Sequence, residues 1–285
     1  MINAPASRGR YGQGMFGRAR QQDQALAYLT VVTYGRTGST AIQAALNALP
    51  GVVIRGENYS AMRGLREYLQ AVAETADRHH AGRPDHPWYG SARLDPPAVL
   101  NDLRRHVVEF ILRPSRGTRV IGFKEVRYEP GHFATYELML DYLIFLGQLF
   151  PGLNYLMNVR DPAEAARSGW WPGNDQALEV LGTTREWMAA AVDDLNAFYG
   201  PGRACLVEYE TWAVDGQALI DAFDGLGLPK DDTAVHAALA GRLTHGPHGA
   251  PAEPSSDSSS DSSCDSSCDS SSVKSPNGRD NEGAP

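Results

Sequence analysis

Short apolar runs alternate with amphipathic stretches over the first 245 residues, and the two periods separate strands from helices. The run "AYLTVVT" (27–33) reads as a strand, and a glycine-bearing loop leads from it into a helix that Pro50 and Gly51 stop. "VVIR", "RVIGFK", "LNYLMNVR" and "ACLVEY" read as further strands. Between them, residues 60–78 set Leu65, Leu69, Val72 and Ala76 on one helical face. Further helices are expected at 98–113, 134–149, from Pro162, and at 176–199, 212–226 and 231–242. Residues 81–97, "AGRPDHPWYGSARLDPP", form an irregular segment of a length that is uncommon unless it binds or moves.

Strands alternating with helices predict an α/β fold, a central parallel sheet flanked by helices. Ligands bind such sheets beyond the carboxyl ends of the strands. Four polar corners fall there: "YGRTGST", "KEVRY", "RDPAEAARS" and "EYETW".

Composition adjusts this picture at the ends. At 285 residues and 42% hydrophobic, the chain can bury a full core. Its net charge is −8, and five of those charges lie after Pro251, where seven acids face two bases. The body is then only slightly acidic, which argues against a duplex nucleic-acid partner. The repeat "SSDSSSDSSCDSSCDSSS" has no apolar face to bury, so 251–285 is expected to be disordered, as is a flexible 1–24. No apolar run reaches the roughly 20 residues of a transmembrane segment. The Arg-rich start lacks the apolar stretch of a secretory signal, although an organellar transit peptide shares its composition, and a cytoplasmic protein is expected. Of three cysteines only Cys205 lies in the body, which is no disulfide framework.

The first corner carries the chemistry. Gly35 and Gly38 allow close backbone approach, and Ser39 and Thr40 can cap the next helix while facing an anion at its positive end. These residues alone serve an ordinary strand-to-helix turn equally well. Gly38 is followed by serine and not by the Walker lysine, and the cation stands earlier, at Arg36. In "NVRDPAEAARSGWW", Arg160 ends a strand and Ser168 lies eight positions on, two turns into the expected helix.

These two corners together resemble the sulfotransferases that use 3'-phosphoadenosine 5'-phosphosulfate (PAPS), whose fold is P-loop-like. "YGRTGST" is similar to their Tyr-Pro-[Lys/Arg]-Ser-Gly-[Ser/Thr]-[Ser/Thr] loop, with Gly35 in place of proline. The resemblance spans most of residues 27–245 and implies a sulfotransferase domain at 25–250. It implies that Arg36, Thr37, Gly38, Ser39 and Thr40 hold the 5'-phosphosulfate, that Arg160 and Ser168 hold the 3'-phosphate, and that Tyr209 lies near the adenine. Arg242, in "GRLTHGPHG", is the one candidate for the family's C-terminal phosphate contact. The implied donor is PAPS and the product PAP, with no metal, and the implied acceptor is a carbohydrate or small molecule.

Sulfuryl transfer needs a cation at the leaving phosphate and a base for the acceptor. Arg36 and Lys124 are the cations. Two carboxylates compete as base: Glu57 in "VIRGEN", which resembles the "GE" segment of tyrosylprotein sulfotransferases, and Glu125, beside Lys124. Neighbours on a strand face opposite ways, which favours Glu57. Trp170 or Trp171 could stack on a ligand, Trp88 and Tyr89 could belong to an acceptor lid, and His79, His80 and His86 lack metal-site spacing. A P-loop kinase-like phosphotransferase, or a nucleotide-binding protein without catalysis, would share the phosphate loops and leave Glu57 and Lys124 dispensable.

Overall fold

The computed structural model describes residues 26–78 and 82–243, apart from the side chains of 242 and 243. The expected 1–24 and 251–285 segments, His79, His80 and the Arg242 side chain therefore lie outside the described residues.

Five parallel strands build one sheet in the order β2-β3-β1-β4-β5: β1 (Ala27–Thr33), β2 (Val52–Arg55), β3 (Val120–Glu125), β4 (Asn154–Val159) and β5 (Ala204–Glu208). The α/β class expected from the alternation is the one observed. Side-chain parity on the strands sorts the core into two layers. Leu29, Val31, Val120 and Leu156 face one side, packed by α1 (Ser39–Ala48), α7 (Tyr209–Asp215), α8 (Gln217–Gly225) and α9 (Asp232–Leu243). Val32, Ile121, Phe123, Tyr155 and Met157 face the other. That side is covered by α2 (Ala61–Arg78), α3 (Pro96–His106), α4 (Tyr136–Leu149) and α6 (Ala177–Tyr199).

The connection leaving β1 runs to β2, across β3, whereas the connection leaving β4 runs outward to β5. The chain thus parts at the β1–β4 junction, where such sheets open a crevice for ligands.

Three expected elements differ in detail. The helix after Pro162 is only α5 (Pro162–Ala166), so Ser168 sits in the turn beyond it and not two turns along a helix. The Ser168 N–H still bonds the Ala165 carbonyl at 3.0 Å, and Gly169 at φ +70° turns the chain away. The expected 212–226 helix is two helices, which meet at Gly216 with φ +80°. The 98–113 helix widens into π-type turns from Val107 to Leu112 and stops at Arg113, which has φ +50°.

Candidate active site

The loop after β1 is lashed to β4 from beneath. Thr33 Oγ1 donates to the Asn158 carbonyl at 2.8 Å, and Asn158 Nδ2 donates to the Thr37 carbonyl at 3.0 Å. Trp212 Nε1–H closes the circuit on Asn158 Oδ1, also at 3.0 Å. The Thr37 hydroxyl is turned inward, 2.6 Å from Thr33 Oγ1 and 3.1 Å from the Tyr34 carbonyl, so only its backbone is left for a ligand. Asn158 supports this loop and was passed over by the sequence reading. Its signal was an amide inside an otherwise apolar strand end, "YLMNV".

Helix α1 begins at Gly38, which takes the cap position at φ +75° with no side-chain cap. Ser39 and Thr40 were expected to cap this helix and instead occupy its first turn, so the first amide hydrogens of α1 have no side-chain acceptor at the cap. This is the arrangement that attracts an anion. The close approach that a glycine permits is used at Gly38: a Cβ there would lie 2.7 Å from the Tyr209 ring. Arg36 also takes the left-handed region, at φ +72°, a cost of about 1–3 kcal/mol that the surrounding bonds must hold.

Those bonds come from the β4 corner. Arg160 Nη1 donates to the Arg36 carbonyl at 3.0 Å, and Arg36 Nε donates to Ser168 Oγ at 3.0 Å. Tyr34 fixes the strand end, since its hydroxyl donates to the Arg160 carbonyl and accepts the Arg160 N–H at 2.8 Å. Burial pushes that phenol up to about 12. The Arg160 guanidinium lies 4.5 Å above the Tyr209 ring, and its Nε is buried with no hydrogen-bond partner. The two corners that the sequence separates by 124 positions thus meet, and the residues expected at opposite phosphates, Arg36 and Ser168, touch each other.

Tyr209 opens α7 and stands edge-on to Trp212, with ring centroids 5.0 Å apart. Beside them lies a largely apolar cavity of about 370 Å³ lined by Gly38, Ala41, Tyr209, Trp212, His236 and Leu239. Trp170 packs its ring directly against Gly35 and remains 64% exposed, while Trp171 is buried. Trp88 and Tyr89 are partly exposed in the 81–97 segment.

On the other side of β1, Lys124 extends from β3 and its Nζ lies 2.6 Å from Glu57 Oε1, the lysine side chain 6% and the glutamate 36% exposed. Lys124 shares the parity of Val120, and Glu125 shares that of Phe123, so the two face opposite layers as expected. Glu125 is fully engaged in the interior. Its Oε2 accepts the Ser60 N–H at 2.8 Å, and its Oε1 accepts the Val126 N–H at 2.9 Å and Arg127 Nη1 at 2.7 Å. Arg127 also reaches Glu57 Oε2 at 3.4 Å, a contact the sequence reading missed.

No protein-family model and no curated protein matches the chain. Solved structures do. The sulfotransferase domain of the Synechococcus PCC 7002 olefin synthase aligns at 18% identity over 75% of this chain and 78% of its own, with a TM-score of 0.45. The sulfotransferase domain from the curacin biosynthetic pathway aligns at 15% identity over 78% and 87%, TM-score 0.44. A sulfotransferase from Alicyclobacillus acidocaldarius aligns at 16% identity over 73% and 85%, TM-score 0.41. These three structures are sulfotransferases. Likeness of this degree assigns no activity, which is argued from the site itself.

Proposed function

We propose that the chain transfers a sulfuryl group from PAPS to a hydroxyl of a carbohydrate or other small acceptor. The observation that carries this reading is the junction of the two corners: Arg160 on the Arg36 carbonyl, Arg36 on Ser168, and uncapped α1 amides between them. Two cations and a helix N-terminus within one crevice suit a ligand with two separated phosphates. The 5'-phosphosulfate would take Arg36, the first-turn amides, Ser39 and Thr40. The 3'-phosphate would take Arg160 and Ser168, replacing the Arg36–Ser168 bond. The apolar cavity beside Tyr209 suits the adenine.

In the reaction, the acceptor oxygen attacks sulfur as the bond from sulfur to the 5'-phosphate oxygen breaks, and PAP leaves. Glu57 takes the acceptor proton, while Lys124 and Arg36 offset the charge growing on the transferred and leaving oxygens. Glu57 suits the base better than Glu125 does, because Glu125 is 1% exposed with both oxygens already bonded.

Calorimetry with PAP, ATP and ATP plus Mg²⁺, joined to transfer of labelled sulfate from PAPS to an acceptor panel, tests this. Expected are tight metal-free PAP binding and, in Glu57→Gln, turnover lowered by about 100-fold or more with PAP affinity unchanged. Preference for Mg·ATP over PAP would turn the reading toward a phosphotransferase. Binding of PAP without any transfer, or transfer that survives Glu57→Gln, would remove the catalytic assignment.

A further inference from the structure

Glu57 shares a cation with a carboxylate that the reaction does not need. Arg127 lies between Glu57 and Glu125, but unequally: 2.7 Å to Glu125 Oε1 and 3.4 Å to Glu57 Oε2. The segment carrying Glu57 is itself held under strain. Tyr59 and Ser60 are consecutive non-glycine residues in the left-handed region, at φ +57° and +56°. Such residues persist only where their surroundings over-determine them. Here Glu125 supplies the restraint by accepting the Ser60 N–H at 2.8 Å, while the Arg127 guanidinium sits 4.3 Å over the Tyr59 ring. A carboxylate buried on β3 thus pins the far end of the 56–60 segment and also holds the arginine that faces Glu57.

We infer that Glu125 is a positioning residue for the Glu57 carboxylate, acting through Arg127 and the Ser60 amide, an inference that rests on the sulfuryl-transfer reading above. The charged groups facing Glu57 are Lys124 from β3 and Arg127 from the segment after it. Lys124 commits Oε1 at 2.6 Å. A second short ion pair at Oε2 would occupy the remaining oxygen as well and close it to the proton of an acceptor. Glu125 takes the short bond of Arg127 for itself and leaves Oε2 only loosely engaged. That oxygen is then the one open to an acceptor hydroxyl, which must come within hydrogen-bond reach to lose its proton.

Glu125→Gln in the full chain separates this from a purely structural part. Glutamine keeps the shape and, with its oxygen on the Ser60 amide, turns its NH2 to the Val126 N–H and Arg127 Nη1, which releases Arg127 towards Glu57. The assay is transfer of labelled sulfate from PAPS to the same acceptor panel. Expected in the variant are a kcat lowered by about tenfold or more and a KM for PAPS within about twofold. Expected in Glu125→Gln/Arg127→Gln is recovery of most of the lost rate, because the released cation is gone. Wild-type kcat in Glu125→Gln would overturn the inference, as would a double variant no faster than the single. A loss of PAP affinity or melting temperature that tracks the rate would overturn it as well, by making Glu125 structural. Glu57→Gln is run in parallel: wild-type rates there, or no transfer from PAPS to any acceptor by the unaltered chain, would bring down the underlying reading and not this inference alone.

Discussion

Asn158 shows how one side chain can hold the loop after β1 from inside the protein. Its amide spends both ends inside the protein, on the Thr37 carbonyl and the Trp212 indole. Asn158→Ala leaves that carbonyl and that N–H buried and unpaired, at a cost of about 1–3 kcal/mol each. The expected result is a melting temperature lower by several degrees and weakened PAP binding, read by calorimetry; unchanged affinity would detach the lashing from the site. At the same scale Gly38→Ala is expected to abolish PAP binding in a protein that still folds, since the new Cβ meets the Tyr209 ring at φ +75°. Retained affinity there would mean that the loop backbone does not approach the nucleotide. Arg36, Gly38, Arg160 and Ser168 were legible in the sequence because each belongs to a short local pattern. Arg127 and Asn158 were not, because Glu57 lies 70 positions from the one and Trp212 54 positions from the other.

Elements decide which of those side chains meet. The parallel register sets Val31 beside Lys124 and Thr33 beside Asn158, so the loops after β1, β3 and β4 open at one level. That register depends on close strand contact at Gly122, where any Cβ would collide with the Leu29 carbonyl of β1. Gly122→Ala is therefore expected to yield no soluble folded chain, judged by circular dichroism and gel filtration. A cooperatively folded variant would show that β1 and β3 can part without losing the sheet. Strand identity was plain from apolar runs, whereas the order β2-β3-β1-β4-β5 was not, because β-branched runs pair with any similar neighbour. The early end of α5 was equally hidden: Ser168 follows a pattern that suits a helix, yet Gly169 takes φ +70° against the Arg36 side chain.

Across the whole molecule, buried tyrosines tie stability to alkaline pH. Burial raises Tyr34 to about 12 and raises Tyr128, Tyr142 and Tyr155 as well, all four within the core layer on the α2–α6 side. The unfolded chain ionises these phenols near 10, so the folded state keeps their full contribution below that pH and loses it as pH climbs towards the folded values. At about 1.4 kcal/mol per unit, Tyr34 alone accounts for roughly 3 kcal/mol by pH 12. Unfolding between pH 10 and 12 is expected, with tyrosinate absorbance and loss of ellipticity rising together. Tyrosinate absorbance that rises near pH 10 in a still-folded protein would contradict it.

What the sequence by itself determined were the local matters: strands and helices from periodicity, the parallel class from their alternation, and two polar strand-end corners from side-chain type and spacing. Tertiary structure alone decided that Arg160 reaches the Arg36 carbonyl, that Glu125 is consumed in the interior, and that Glu57 faces Lys124. The reason is physical. Propensity and turn chemistry act over a few neighbouring residues, whereas charge pairing across a sheet depends on strand order and register, which only the packing of two apolar layers can set.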